Sequence, residues 1–179
     1  MDFLSAAGLG LDYGALRFGR TTEAWLDAGI ELRRQVATAL DCLEAEVEVV
    51  GSASVLDLLA KPIIDLAVGL RGTQPLAPVM ARLAAHGWIY RGDAGDQGGH
   101  VFVRESRPWH RVAHLHVVDH DGDQWRNYLR FRDLLRRSPQ ARARYEAVKL
   151  RLAEQRPVDR RAYTSGKTEI VTSLVRQTL

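Results

Sequence analysis

Residues 47–70 constrain the fold of this chain more than any other stretch. Valines alternate with glutamates at its start, and four small residues follow at 51–54. Residues 63–68 then form an almost continuous apolar run, half of it β-branched, that contains one carboxylate, Asp65. Continuous apolar runs are typical of strands that are buried on both faces. The pattern therefore predicts a strand, a tight turn, a short helix over 55–60 and a central strand that carries an acidic group.

Asp65 and the small-residue turn carry the chemistry that this stretch offers. A carboxylate in an apolar strand is costly unless a metal ion or hydrogen bonds compensate it. A turn of small residues at the start of a helix presents backbone N–H groups, which suits a phosphate. Magnesium needs only one or two protein carboxylates when substrate phosphates supply other ligands. The combination indicates a phosphoryl- or nucleotidyl-transfer site.

The first half of the chain predicts an arm followed by two packing helices. Residues 1–20 contain four glycines and are expected to form an irregular arm, with a turn of helix at 13–18. A hydroxyl cap at residues 21–22 opens an amphipathic helix that should end near Leu43. A second helix should begin at a proline, 75 or 78, and end before Gly87.

The second half predicts the remaining strands and a helical end. Further strands are expected at 88–90, 100–104 and 111–118. Residues 124–179 should be helical, with a break before Pro139, a link at 156–158 and a last helix at 167–177. The chain is therefore predicted to be a single α+β domain, residues 1–179. It should hold a mixed sheet of about five strands, flanked by an N-terminal helix and C-terminal helices.

Composition and charge narrow the partners. The chain has 179 residues, of which 46% are apolar and 26% charged, as in ordinary globular proteins. Its net charge is +3 and is spread along the sequence, which argues against a nucleic-acid partner. No apolar run approaches the roughly 18 residues of a membrane span, and the N-terminus lacks the basic region of a secretory signal. We expect a cytoplasmic protein without a membrane partner, whose oligomeric state the sequence does not predict.

The central stretch resembles the signature of the GrpB family, which belongs to the nucleotidyltransferase superfamily and also occurs fused to dephospho-CoA kinases. The residues of this chain that match the signature are Glu48, Gly51-Ser52, Ser54-Val55, Leu58 and residues 60–65. Over about residues 40–175 the likeness continues at 114–117, 129–133, Pro139, Tyr145 with Lys149, and Tyr163 with Lys167. The three lysines of the chain, at 61, 149 and 167, all fall on these motifs.

The resemblance implies a nucleotidyltransferase-like fold and an enzyme that transfers a nucleotidyl group from ATP or another nucleoside triphosphate to a small-molecule acceptor. Mg²⁺ or Mn²⁺ would be the cofactor. Gly51, Ser52 and Ser54 would hold the phosphates, Asp65 would bind the metal, and Lys61 would neutralise developing charge. The alternative is a non-catalytic module that binds a nucleotide or a phosphorylated metabolite.

Four more residues are candidate nucleotide contacts. Lys149, Tyr163 and Lys167 lie on C-terminal segments that would have to fold over the pocket. Arg132 would either reach a phosphate or pair with Asp133 to anchor a helix to the sheet.

The metal site departs from the superfamily pattern, in which a second acid follows the first by two residues. Ala67 occupies that position. His114 and His116 are two apart, so they share one face of a strand and would complete a metal cluster with Asp65. Imidazole ligands favour Mn²⁺ or Zn²⁺ over Mg²⁺. Glu48 is a further candidate ligand. The equally weighted alternative is that the histidines bind no metal: one would be hydrogen-bonded within the sheet and the other would face solvent.

Overall fold

A computed structural model describes residues 2–95, 98–154 and 160–176, with side chains in the last segment limited to Gly166 and residues 168–176. Its helices are α1 (Phe3–Ala6), α2 (Glu23–Ala39), α3 (Leu76–Ala85), α4 (Asp123–Arg137), α5 (Pro139–Glu154) and α6 (Arg160–Arg176). Its strands are β1 (Leu11–Asp12), β2 (Gly19–Arg20), β3 (Ala45–Val50), β4 (Leu59–Ala60), β5 (Ile64–Leu70), β6 (Trp88–Asp93), β7 (His100–Arg107) and β8 (His110–Asp119).

The main sheet confirms the predicted mixed α+β architecture. Its strand order is β3-β5-β8-β7-β6, and β1 pairs with the start of β8 as a sixth strand. The central pair β5 and β8 is parallel, whereas the other pairs are antiparallel. The strands β2 and β4 form a separate two-stranded sheet. The predicted central strand, β5, therefore lies between β3 and β8, where both of its faces are covered.

Helices pack on both faces of the sheet. The helix α2 places its predicted apolar stripe, including Trp25, Leu32 and Val36, in the main core together with β5 and β8. The helix α4 covers the opposite face, where α5 and α6 pack against it. A second apolar cluster joins Val55 and Leu58, just after the small-residue turn, to α4, α5 and α6. The turn is thus held between the sheet and the C-terminal helices.

The N-terminal arm is more ordered than the sequence predicts. The expected helical turn at 13–18 is wrong: the helical turn is α1, and residues 11–12 and 19–20 are strands. Leu4, Leu9 and Leu11 are buried, so apolar contacts hold the arm in place despite its four glycines. The helix α2 begins as predicted, with Thr22 Oγ1 accepting a hydrogen bond from the Trp25 N–H, but it ends at Ala39 rather than near Leu43.

Two boundaries near the functional segments also differ. A 3₁₀ turn at Ser52–Ser54 and the strand β4 replace the short helix predicted at 55–60, because β2 of the arm supplies a partner for β4. The last helix begins at Arg160, so Gly166 is inside it instead of before it. A Cβ on Gly166 would lie 2.8 Å from Leu152 Cδ2, which explains the glycine as a close contact with α5. The predicted link at 156–158 is outside the described residues.

In the described part of the chain, no helix combines the length and the apolarity that a membrane span requires.

Candidate active site

The small-residue turn brings Gly51 against the carboxylate of Asp65. Gly51 has a φ of +74°, a left-handed conformation that glycine adopts without strain. It follows Val50, which pairs with Asp65 across β3 and β5. A Cβ on residue 51 would lie 2.6 Å from Asp65 Oδ2, so only glycine leaves room for this carboxylate. The predicted strand, turn and acid are therefore one local unit.

Asp65 contacts His114 on the neighbouring strand. The parallel register of β5 and β8 places these residues side by side, and Asp65 Oδ1 lies 3.3 Å from His114 Nδ1. The side chains are 24% and 25% exposed, respectively. They form a carboxylate–imidazole pair that solvent, and hence a small ligand, can reach.

The other two predicted metal ligands have different neighbours. His116 Nδ1 is 3.1 Å from the Gly98 carbonyl oxygen, and its ring packs against Tyr128. Glu48 Oε2 accepts a hydrogen bond of 2.6 Å from Arg132. Within residues 2–95, 98–154 and 160–176, no three His, Cys, Asp or Glu side chains form a group that could hold a metal ion. The four-residue metal set therefore stays a prediction, with the Asp65–His114 pair as its contacting part.

Arg132 forms the ion pair that the sequence predicted as one of its two roles. Its Nε donates to Asp133 at 2.8 Å, and its Nη1 donates to Glu48 and to the Val49 carbonyl. Burial opposes the charge of this guanidinium, but the hydrogen bonds to Asp133 and Glu48 outweigh that effect and raise the pKa of Arg132. The residue ties α4 to β3 directly beside the turn.

Ala67 lies on β5 between Glu48 of β3 and His116 of β8. It is fully buried in a cluster with Val50, Val118 and Trp125, on the face of the sheet that α4 covers. A carboxylate two residues after Asp65 would therefore be buried, with an apolar cluster over it and Glu48 beside it.

Lys149 reaches the turn from α5. It is 1% exposed, and its Nζ donates to Ser52 Oγ at 3.3 Å and to the Leu59 carbonyl at 2.5 Å. The ammonium also lies over the rings of Phe18 and Tyr145. The structure therefore brings Lys149 and Ser52 into contact, and their assignment to a phosphate site stays a prediction.

The remaining predicted site residues are placed as follows. Ser54 Oγ donates to the Gly51 carbonyl at 2.7 Å, so this hydroxyl closes the turn. Lys61 is half-buried between β4 and β5. Tyr163 and Lys167 lie on α6, and their side chains are outside those described.

Sequence reasoning missed two residues that hold the turn segment. Arg136 donates to the Ser54 carbonyl through Nε and Nη2, at 3.3 and 3.1 Å. Burial, together with the nearby charge of Arg132, lowers the pKa of Arg136. Glu146 accepts a hydrogen bond from the Leu59 N–H at 2.6 Å. The spacing of Arg132 and Arg136, one helical turn apart, was the signal that could have found the first.

The strand, Gly–Ser turn and strand-borne acid, set in this mixed sheet, define a nucleotidyltransferase-like fold. Comparison with solved structures agrees. The Cid1 poly(U) polymerase with bound MgGTP superposes with a TM-score of 0.50 at 13% identity, over 75% of this chain and 43% of that chain. At that identity the likeness concerns the fold alone.

Proteins with higher sequence identity to this chain identify its family. GrpB from Enterococcus faecalis superposes with a TM-score of 0.75 at 25% identity, over 90% of this chain and 99% of that chain. The glutamate-rich protein GrpB of Alkalihalophilus pseudofirmus is 27% identical, over 94% of this chain and 99% of its own length. A UPF0157 protein of Streptomyces coelicolor is 33% identical, over 84% of this chain and 77% of its own length. The profile described as GrpB protein matches residues 18–177, and the chain belongs to the GrpB family.

Proposed function

We propose that the protein is a metal-dependent nucleotidyltransferase, which transfers a nucleotidyl group from ATP or another nucleoside triphosphate to a small-molecule acceptor. The observation that carries the proposal is the contact between Gly51 and Asp65. It sets an acid, itself paired with His114, directly against a turn suited to phosphate. Membership of the GrpB family and the nucleotidyltransferase-like fold support the same class of reaction.

In the proposed reaction an acceptor oxygen attacks the α-phosphorus of the triphosphate. The new P–O bond forms as the bond from the α-phosphorus to the β-bridging oxygen breaks, and pyrophosphate leaves. Catalysis of this kind depends mainly on positioning and on stabilisation of charge. The backbone at Gly51 and the Ser52 hydroxyl would orient the phosphates, with the buried Lys149 ammonium behind that hydroxyl. Lys61 and the α6 residue Lys167 would add positive charge.

The donor set at Asp65 fits a single divalent ion. One carboxylate and one imidazole are adjacent and partly exposed, and a cation there would take its other ligands from phosphate oxygens and water. An imidazole donor favours Mn²⁺ over Mg²⁺. When bound, the ion would polarise the α-phosphate of the nucleoside triphosphate. Without a metal contact, Asp65 would orient His114 to take the proton of the acceptor.

The burial of Ala67 favours a second candidate, a module that binds a nucleotide or a phosphorylated metabolite and does no chemistry. A buried alanine occupies the place of the second acid, so a two-metal arrangement would need a different ligand. A binding module needs no such replacement, since the turn and Lys149 could hold an anion without a metal.

Pyrophosphate release distinguishes the two. The full chain is incubated with each nucleoside triphosphate, with Mg²⁺ or Mn²⁺, and with a deproteinised pool of small metabolites as acceptors. The transferase predicts release that needs both the metal and the pool and that Asp65→Asn abolishes. Nucleotide binding in a thermal shift assay, without release under any of these conditions, would favour the binding module.

A further inference from the structure

The tip of the β7–β8 hairpin holds an exposed tryptophan in a strained conformation. Two residues, Pro108 and Trp109, connect the strands, since Arg107 pairs with His110. Trp109 has a φ of +65° and is 70% exposed. A bulky side chain in this region of backbone space is uncommon, and glycine or asparagine is the usual residue there. Neither burial nor turn preference explains a tryptophan at this position.

Specific contacts fix the orientation of Trp109. Its backbone N–H donates to Glu105 Oε2 at 3.1 Å, and its backbone carbonyl accepts a hydrogen bond from the Tyr13 backbone N–H at 2.9 Å. The Tyr13 ring lies edge-on to the indole, with centroids 5.4 Å apart. The Tyr13 hydroxyl in turn donates to Glu105 Oε1 at 2.7 Å. Both the turn and the ring are therefore held in place before any ligand arrives.

Three arginines, each from a different strand, contact Glu105, Asp12 or Tyr13 next to the hairpin tip. Arg91 of β6 donates to Glu105, Arg107 of β7 donates to Asp12, and the guanidinium of Arg111 lies 4.4 Å from the centre of the Tyr13 ring. These three arginines outnumber the two carboxylates. The fold brings these arginines to one place. In the sequence the positive charge is dispersed, and for that reason the sequence argued against a nucleic-acid partner.

We propose that this hairpin tip is a binding platform for single-stranded nucleic acid, on which an unpaired base stacks against Trp109 and arginines contact the adjacent phosphates. A rigid exposed aromatic ring beside basic side chains is the arrangement that single strands recognise, because every base offers a ring face. A protein partner would call for apolar surface around the tryptophan. The described neighbours of Trp109 are instead the Tyr13 ring, arginines and carboxylates.

The residues that support the platform and the candidate active site lie toward the same end of β8. The strand β3 ends at Val50 opposite Asp65, and β8 carries both Trp109's neighbour His110 and His114. Five residues separate Trp109 from His114, or about 16 Å along an extended strand. The platform is thus separate from the candidate active site, and binding at the platform does not depend on the proposed transfer reaction.

Fluorescence anisotropy of a labelled single-stranded oligonucleotide at low ionic strength tests the platform in the full chain, without nucleoside triphosphate. Glycine suits a φ of +65°, so Trp109→Gly should match or exceed the wild type in melting temperature while it weakens binding about tenfold. Trp109→Phe keeps a ring and should retain most of the affinity. Ile30→Ala, at another exposed apolar residue, is the control and should bind as the wild type does.

Intrinsic fluorescence gives a second readout, because the other three tryptophans, at 25, 88 and 125, are buried. A base stacked on Trp109 should quench emission in the wild type, and the quenching should disappear in Trp109→Gly. Equal affinity of the wild type and Trp109→Gly would overturn the proposal and leave a protein partner as the interpretation of the tip. Equal affinity for a duplex of the same sequence would also overturn it, since a duplex offers no unpaired base.

Discussion

The carboxylate of Asp65 occupies the space that a side chain on Gly51 would need, with Asp65 Oδ2 only 2.6 Å from the missing Cβ. One contact thus couples the backbone of the turn to the acid on the central strand. A substitution at either residue should therefore change the position of the other.

Gly51→Ala should therefore destabilise the protein for two reasons. Its left-handed φ strains any other residue, and the new methyl group meets Asp65. Gly72 provides a matched control, because it has a similar φ of +63° and no heavy atom within 4 Å of its Cβ position. In urea unfolding, Gly51→Ala should cost about 1–3 kcal/mol more than Gly72→Ala, the usual range for overpacking. Equal losses would mean that the contact with Asp65 is not restrictive.

The two serines of the turn should separate binding from stability. Ser52→Ala leaves the Lys149 ammonium its bond to the Leu59 carbonyl, so we expect little change in melting temperature. Affinity for a nucleoside triphosphate in calorimetry should fall about fivefold to tenfold, as for the loss of one hydrogen bond. Ser54→Ala removes the bond that closes the turn and should lower stability by about 1 kcal/mol. If Ser52→Ala binds nucleotide as tightly as the wild type, the phosphates lie elsewhere.

Introduction of an acidic residue at position 67 should destabilise the protein and should not create a metal ligand. Ala67→Asp would bury a carboxylate under the cluster of Val50, Val118 and Trp125, and Glu48 would lie beside it. We therefore expect a loss of at least about 3 kcal/mol in unfolding free energy. Ala67→Ser, with a small neutral side chain, serves as the control and should lose less. A stable Ala67→Asp variant with faster pyrophosphate release would show that this position can still hold a metal ligand.

Acid should weaken the support beneath Trp109. The hydrogen bond from Tyr13 is the main cause that lowers the pKa of Glu105 below its usual 4.5, and the Trp109 N–H and Arg91 add to it. A lowered pKa means that this carboxylate stabilises the fold above about pH 4.5 and that the contribution disappears as the pH falls through the lowered value. The melting temperature of Glu105→Gln should thus lie below that of the wild type at pH 7 and converge with it in acid. A constant difference at all pH values would contradict this account.

The sequence predicted the part of the site that local pattern determines. Gly51, Ser52 and Asp65 lie within fifteen residues, and alternation of apolar side chains sets which strand and which face each occupies. The Lys149–Ser52 contact spans almost a hundred residues and was accessible only through the family resemblance. Burial of Lys149 was not predictable from helix periodicity, since lysine is normally exposed.

Features made by distant segments were missed. The strand β4 exists because Gly19 and Arg20 pair with it, so the preference of residues 55–60 for a helix was overridden by tertiary contacts. The arginines at the hairpin tip come from β6, β7 and β8, and their positions along the sequence do not show that they meet. The predicted start of the last helix at residue 167 places Gly166 before it, because the close contact of this glycine with Leu152 is invisible in the sequence.

Calorimetric titration of ATP, with and without Mn²⁺, into the wild type and Asp65→Asn tests the central claim most directly. We predict that Mn²⁺ raises the affinity of the wild type for ATP, that Asp65→Asn loses this increment but keeps the metal-free affinity, and that its melting temperature holds or rises. Asp65→Asn that binds Mn²⁺–ATP as well as the wild type does, or that unfolds several degrees lower, would contradict the assignment of Asp65 to the metal.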